Sequence, residues 1–307
     1  MKNDPLVSVC IMSYNLEDYI AEALDSVLIQ KVNFAYEIIV GDDYSTDNTR
    51  RILKEYVEKY PHIKIIFHKK NLGMLGNFSA TLRKCEGKYI ALLDGDDYWI
   101  NPLKLQKQVD FLELNQDYSM VFHNIELHKQ TELGVEVQSF CTETMYREYT
   151  YNDIAKNWLV GTCSVLCINN KQYQYIEKNL WYPVQDLPFY LCCASKGKIY
   201  YMPEKMSVYR QLLSGSINSE EVKSLKYDLT LILYYKKLFK DFKHYISIQT
   251  YSLVLARRYF WMAKKSSDIG NKKLSYKYLV LSLLYNPSII YKQVVQKLKL
   301  FIKKSLY

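Results

Sequence analysis

A chain of 307 residues, 49% apolar and 24% charged with a formal net charge of +9, is long enough for one large or two modest domains and too apolar for a disordered protein. Its seven cysteines, an odd number without Cys-x-x-Cys spacing, exclude a zinc ribbon or a disulfide framework and read as reduced core residues of a cytosolic protein. No apolar run reaches the roughly 18–20 residues that span a bilayer, and Met1-Lys-Asn-Asp-Pro leads straight into a strand without a signal-peptide region, so a soluble or peripheral protein is expected.

Val7–Ser13 is an apolar strand, and Leu16–Gln30 repeats Ile20, Leu24, Val27 and Leu28 at helical spacing. Tyr36–Val40 is the next strand. It ends in Gly41-Asp-Asp-Tyr-Ser-Thr-Asp-Asn-Thr49, where Ser45, Thr46 or Asp47 can cap a helix carrying Ile52, Leu53, Tyr56 and Val57. Pro61 stops that helix; Ile63–Phe67 is a third strand, Asn71-Leu-Gly73 a turn, and Leu75–Cys85 a third helix with Asn77 near its start. Strands alternating with helices predict an α/β fold with a doubly wound, mostly parallel sheet, ligands lying beyond the carboxyl ends of the strands. Ser13-Tyr14-Asn15, Asp42-Asp43 and Asp94–Asp97 then line one crevice.

The stretch Lys88–Trp99 organises the chain. Tyr89–Leu93 is a continuous apolar run, the pattern of a strand buried on both faces, and it delivers Asp94, Asp96 and Asp97 to one edge. Three carboxylates this close repel one another and need a cation or several donors, and hard oxygen ligands suit Mg²⁺ or Mn²⁺. An EF-hand beginning at Asp94 is excluded, because its sixth and twelfth places hold Trp99 and Leu105 instead of Gly and Glu. A phosphotransferase with Asp94 as nucleophile stays open at this point. The loop after the first strand lacks Gly-x-Gly-x-x-Gly and no P-loop is present, so a bound nucleotide would be held by carboxylates and a metal.

Four stretches in order, Val7–Asn15, Glu37–Thr49, Asn71-Leu-Gly73 with Asn77, and Leu93-Asp-Gly-Asp-Asp97, resemble the family 2 glycosyltransferases of the GT-A fold. The likeness is strong over residues 5–125 and weaker over 126–215, and it leaves the phosphotransferase without an account of the first three motifs. It implies a nucleotide-sugar (donor) half at 1–125 and an acceptor half of the same domain at 126–216; residues 217–307 lie beyond it and read as a basic helical C-terminal region. It also implies that Ser13, Tyr14, Asn15, Asp42, Asp43, Asn77, Asp94 and Arg210 bind the donor. Asp42 or Asp43 would accept the imide proton of a uracil-type base, which favours a UDP-sugar. Asp96 would bind the metal, with Asp94 at the ribose or the ion's water shell and Asp97 assisting. Asp186, at the start of a helix after the Gly161–Ile168 strand, occupies the place of the family's general base, where the helix N-terminus favours the carboxylate. One departure stands out: relatives often read Tyr-Arg-x-His after the following strand, whereas Tyr209-Arg-Gln-Leu212 has Leu in the histidine's place, leaving Ser214, Ser216 or water to substitute. His62, His68 and His123 are expected at the surface or at strand ends.

From Glu220 onward the pattern is helical, with Leu225, Leu229, Ile232 and Leu233, then Tyr251–Ala263, then Leu274–Tyr285. Residues 217–307 hold 18 Lys and Arg against 5 Asp and Glu, while residues 1–216 are net negative. Ser288–Lys304 places Ile290, Val294, Leu298 and Phe301 on one face among five lysines, the pattern of an interfacial helix on an anionic membrane. No nucleic-acid module is present. The expectation is a cytoplasmic enzyme, peripheral at the inner face of a bacterial-type membrane. It would move a sugar with inversion from a nucleotide-diphosphate donor to a saccharide acceptor, carried on a lipid, in cell-surface glycan synthesis. Closing loops are expected at Gly134–Thr150 or Leu212–Ser219. A non-catalytic nucleotide-sugar-binding module is the other class the motifs allow.

Overall fold

The three central strands of the amino-terminal half are buried on both faces, the pattern of a parallel sheet with helices on both sides. In the computed structural model, which describes residues 4–156, 159–184, 186–213 and 224–288, β1 (Val7–Ser13) has no exposed side chain. Val9 and Ile11 pack with Ile38, Val40, Ala91 and Leu93 and with Ile20, Leu24 and Val27 of α1 (Ile20–Leu28). The chain divides into two compact units, Met1–Leu213 and Ser214–Tyr307.

In the first unit β2 (Tyr36–Asp42), α2 (Thr49–Lys59), β3 (Ile63–Phe67), α3 (Gly73–Leu82) and β4 (Tyr89–Asp94) follow in βα order. β1 pairs in parallel with β2 and β4, and β2 with β3. The next elements are β5 (Tyr98–Trp99), α4 (Lys104–Leu114), β6 (Tyr118–Thr131), β7 (Gly134–Ser139), β8 (Arg147–Tyr149) and α5 (Tyr151–Lys156). They are followed by a 3-10 turn (Thr162–Ser164), β9 (Leu166–Ile168), α6 (Tyr173–Glu177), α7 (Asp186–Ala194) and β10 (Lys198–Gln211). The sheet order is β3-β2-β1-β4-β9-β6-β10-β5, with β7 on β6 and β8 on β10.

Several sequence expectations need correcting. The first helix starts at Ile20, because Leu16–Tyr19 is spent in a turn, with the Leu16 N–H on Thr49 Oγ1 at 2.8 Å. Gly161–Ile168 is not one strand: Thr162–Ser164 is a 3-10 turn and only Leu166–Ile168 joins the sheet, antiparallel to β4 and β6, so the sheet is mixed at its centre. The expected closing loop at 134–150 instead contains β7, hairpinned onto β6, and β8. The 212–219 stretch lies mostly outside the described residues, with Ser214 and Ser216. His123 is not at a surface: it is 2% exposed on β6, Nδ1 lies 2.7 Å from the Asn124 carbonyl, and burial lowers its pKa well below the ordinary imidazole value.

The second unit holds α8 (Leu225–Asp241), α9 (Ile248–Asp268) and α10 (Lys272–Tyr285). Ser224, Ser247 and Asn271 cap them, accepting from the N–H groups of Tyr227, Thr250 and Leu274. Ile232, Leu255, Tyr259, Met262, Ala263 and Tyr278 form their core. Among the described residues no helix is long and apolar enough to cross a membrane. The amphipathic stretch expected after Ser288 lies outside the described residues.

Candidate active site

Parallel pairing in register brings the polar ends of three strands together. Ser13 is paired with Asp42, and Met12 with both Gly41 and Asp94, so the loops after β1, β2 and β4 leave the sheet side by side. Two glycines permit this closeness. A Cβ on Gly41 would lie 2.0 Å from Thr81 Oγ1 and 2.3 Å from Asn77 Oδ1, and one on Gly95 would lie 2.9 Å from the Met12 carbonyl. Gly95 N–H donates to that same carbonyl at 2.9 Å, tying the acidic turn to β1.

Beyond β1, Tyr14 is half exposed and Asn15 takes a left-handed φ of 52°. That conformation suits Asn, whose Oδ1 accepts from Thr46 N–H at 2.8 Å while its own N–H donates to Ser45 Oγ at 2.9 Å. Ser13 is buried, with its hydroxyl unpartnered among the described residues. Asp42 is fully buried: Oδ2 accepts from Arg50 Nε at 2.5 Å and Ser45 N–H at 3.3 Å, while Oδ1 has no partner among the described residues. Asp43 Oδ1 accepts from Leu72 N–H at 2.6 Å, which draws the Asn71-Leu-Gly73 turn onto the β2 loop. Asn77 is spent inside the protein, donating to the Gly41 carbonyl at 2.9 Å and facing His68 Nε2 at 3.1 Å.

The three acids after β4 have different surroundings. Burial pushes Asp94 well above the usual carboxylate range, the negative charges of Asp96 and Asp186 add to this, and a hydrogen bond with Thr162 opposes it. Burial also raises Asp96, against its own backbone N–H and the Arg210 charge. Asp97 has no exposed surface and is pushed well up by burial, then by Asp96 and Asp94. Its Oδ1 accepts from Arg210 N–H at 2.9 Å, whereas Oδ2 finds no partner among the described residues. Arg210 donates from Nη1 to the Asp96 carbonyl at 2.6 Å and from Nη2 to Glu22, and its guanidinium lies 4.3 Å from the Tyr98 ring centre. Arg210 is therefore committed to holding the acidic turn.

Among the described residues no three acidic, histidine or cysteine side chains converge to hold a metal by themselves. The donor set still suits a hard divalent ion, because three crowded carboxyls share one cationic neighbour and an orphaned buried oxygen remains. Asp94 and Asp96, both only partly buried, are the accessible ligands among them, and Asp97 is enclosed.

Asp186 opens α7 across from these acids, near enough for its charge to act on Asp94. α7 is held against α3 by the Phe189 and Phe78 rings, 5.4 Å apart, and against β6 by Ser119 Oγ donating to the Cys193 carbonyl at 2.7 Å. Tyr190 is buried beside Thr162, and Tyr209 feels all four carboxylates. Sequence reasoning missed Thr162, Tyr190 and Glu22, which stand in no motif. Tyr209 had a signal, its place beside Arg210. Cys163 was read only as core, yet its carbonyl accepts from Trp99 Nε1 at 3.0 Å and its thiol lies beside Asp97.

Residues 8–173 match the family model described as glycosyl transferase family 2. The chain belongs to that family. Among relatives, an uncharacterized protein of Mycobacterium tuberculosis (strain H37Rv) is 35% identical over 212 residues, 68% of this chain, and the chain spans 60% of its length. The putative teichuronic acid biosynthesis glycosyltransferase TuaG of Bacillus subtilis is 34% identical over 72% of this chain and 85% of its own. The Escherichia coli UDP-Glc:alpha-D-GlcNAc-diphosphoundecaprenol beta-1,3-glucosyltransferase WfgD is 31% identical over 59% of this chain and 68% of its own. In fold, the chain resembles Staphylococcus aureus TarS 1–349 solved with UDP-GlcNAc (TM-score 0.56, 16% identity, 92% of each chain). It also resembles the mannosyltransferase PcManGT of Pyrobaculum calidifontis, solved with GDP-Man and Mn²⁺ (TM-score 0.53, 13% identity, 93% of this chain and 88% of that one). The GT-A fold expected from the motifs is therefore the fold of this family member.

Proposed function

We propose that the chain is an inverting glycosyltransferase that moves a sugar from a nucleoside-diphosphate donor, UDP-linked by preference, to a saccharide hydroxyl on a lipid-linked acceptor. The observation that carries this reading is the electrostatic one: Asp94, Asp96 and Asp97 on one side and Asp186 on the other gather four carboxylates at the ends of the strands, where Arg210 is the cation acting on Asp96 and the ion of a metal-bound diphosphate would supply further positive charge. The named activities of WfgD and TuaG support the lipid-linked acceptor and the cell-surface product.

In this reading Asp42 and Asp43 face the base, and the orphaned Asp42 Oδ1 suits an imide N–H donor. Ser13, Tyr14 and Asn15 border the nucleoside, and Asp94 faces the ribose. Asn77 and Arg210 serve the donor indirectly, by fixing Gly41 and the Asp96-Asp97 turn. A divalent ion, Mn²⁺ or Mg²⁺, would be held by Asp96 with Asp94 and Asp97 beside it, and when bound supplies positive charge against the departing diphosphate. Asp186 takes the acceptor hydroxyl's proton. The acceptor oxygen then forms its bond to the anomeric carbon as the bond to the diphosphate oxygen breaks on the opposite face, which inverts the centre. The place of Asp186 in the first turn of α7 favours the carboxylate form that a base needs. The place of action is the cytoplasmic face of a membrane.

Calorimetric titration with a panel of nucleoside diphosphates, with and without Mn²⁺, tests the donor site. Metal-dependent binding of UDP that Asp96→Ala abolishes and Asp186→Asn retains is the expected pattern, with transfer lost in both variants. Binding of no nucleotide, or wild-type transfer by Asp186→Asn, would overturn the reading.

A further inference from the structure

The helical periodicity of α8 contains a contradiction. Its buried face, Asp228, Leu231, Ile232, Tyr234, Leu238 and Phe239, accounts for its packing. Leu229 and Leu233, which share the apolar pattern in sequence, are nevertheless 44% and 61% exposed. At 100° per residue they fall within one narrow arc with Lys226, Lys236 and Lys240, all exposed. No acidic side chain shares that arc. Asp228 points inward to Lys265 at 2.5 Å, and Asp241 pairs with Lys237 on the rim. None of the three lysines makes an ion pair among the described residues.

We propose that this face of α8 is a membrane-docking surface, with the two leucines entering the headgroup boundary of an anionic bilayer and Lys226, Lys236 and Lys240 on its phosphates. The argument is charge complementarity. Residues 224–288 hold twelve Lys and Arg against three Asp and Glu, and two of those three acids are engaged in ion pairs. Exposed leucines framed by unpaired lysines at helical spacing match a surface that is apolar below and anionic above. Protein interfaces are depleted in lysine and enriched in aromatic residues and arginine, whereas this arc holds three lysines and two leucines. The proposal extends the membrane-linked acceptor of the preceding reading, and it stands or falls separately, because vesicle binding needs no donor.

The test is co-sedimentation of the full chain with phosphatidylglycerol vesicles, and with phosphatidylcholine vesicles as the neutral arm. Lys226→Gln, Lys236→Gln and Lys240→Gln together should lower affinity for the anionic vesicles on the order of 100-fold, since each lysine contributes about fivefold near such a surface. Leu229→Ser with Leu233→Ser should weaken it further while leaving nucleotide binding in solution unchanged. All five side chains are exposed, so thermal melting should match wild type. Three outcomes would overturn the proposal: no binding of the wild type to phosphatidylglycerol, unchanged binding of both variants with loss only on removing residues 289–307, or a change in oligomeric state in place of vesicle affinity. Loss of nucleotide binding with vesicle binding intact would count against the glycosyltransferase reading alone.

Discussion

Replacing Lys104 by methionine should stabilise the protein at neutral pH and destabilise it in strong alkali. Lys104 opens α4 directly behind the acidic turn and is wholly buried. Its Nζ donates to Gln108 Oε1 at 2.8 Å and lies 4.0 Å from the Trp99 ring centre, and burial pushes its pKa down from 10.5 to about 7. The unfolded chain holds this proton up to the ordinary lysine value, and the folded chain releases it near 7. Between those values the unfolded state binds more protons, so stability rises with pH. Linkage then sets the burial penalty at about 4 kcal/mol at pH 7 and about 1 kcal/mol at pH 9.5. Methionine has a similar reach and no charge, but it leaves Gln108 Oε1 unpaired, which costs about 1–3 kcal/mol. The variant should therefore be the more stable protein by about 1–3 kcal/mol at pH 7, and the less stable one above pH 10.5. Urea denaturation of both proteins at pH 7 and pH 9.5 measures this. The wild type should gain about 3 kcal/mol on the variant across that interval. Parallel pH profiles would show that Lys104 stays protonated in the core and would refute the argument.

Gly41→Ala should cost about 2–3 kcal/mol by forcing apart the Asn77 and Thr81 side chains, seen as a lower urea midpoint at unchanged slope; a neutral effect would mean the close approach is soft. Arg210→Lys keeps the charge and loses the fork that joins the Asp96 carbonyl to Glu22, so affinity for UDP with Mn²⁺ should fall about tenfold while the melting temperature moves little. An unchanged affinity would show that the turn holds its shape without Arg210. Thr162→Val removes the hydrogen bond that opposes the upward shift of Asp94, so the pH at which donor binding is half lost on acidification should rise in the variant. An unmoved profile would exclude Thr162 from the site.

The order of strands and helices through Trp99, the meeting of the loops after β1, β2 and β4 and the family itself were legible in the residues, because they rest on local signals. Apolar runs bounded by polar turns define buried strands, and Asp-Gly-Asp-Asp or Asn-Leu-Gly carry their chemistry within a few positions. What the sequence left undecided depends on residues far apart meeting. Arg210 was expected at the donor, and only the run of β10 past β5 shows that its backbone and guanidinium also meet Asp97, the Asp96 carbonyl and Glu22. Asn77 was likewise expected at the donor, and the structure adds its hydrogen bond to the Gly41 carbonyl. Leu229 and Leu233 shared the apolar period of α8, but a period only says which residues lie on one side of a helix. Which side meets a neighbouring helix is settled by packing, and in α8 that packing buries Ile232 and leaves both leucines in the open, framed by lysines.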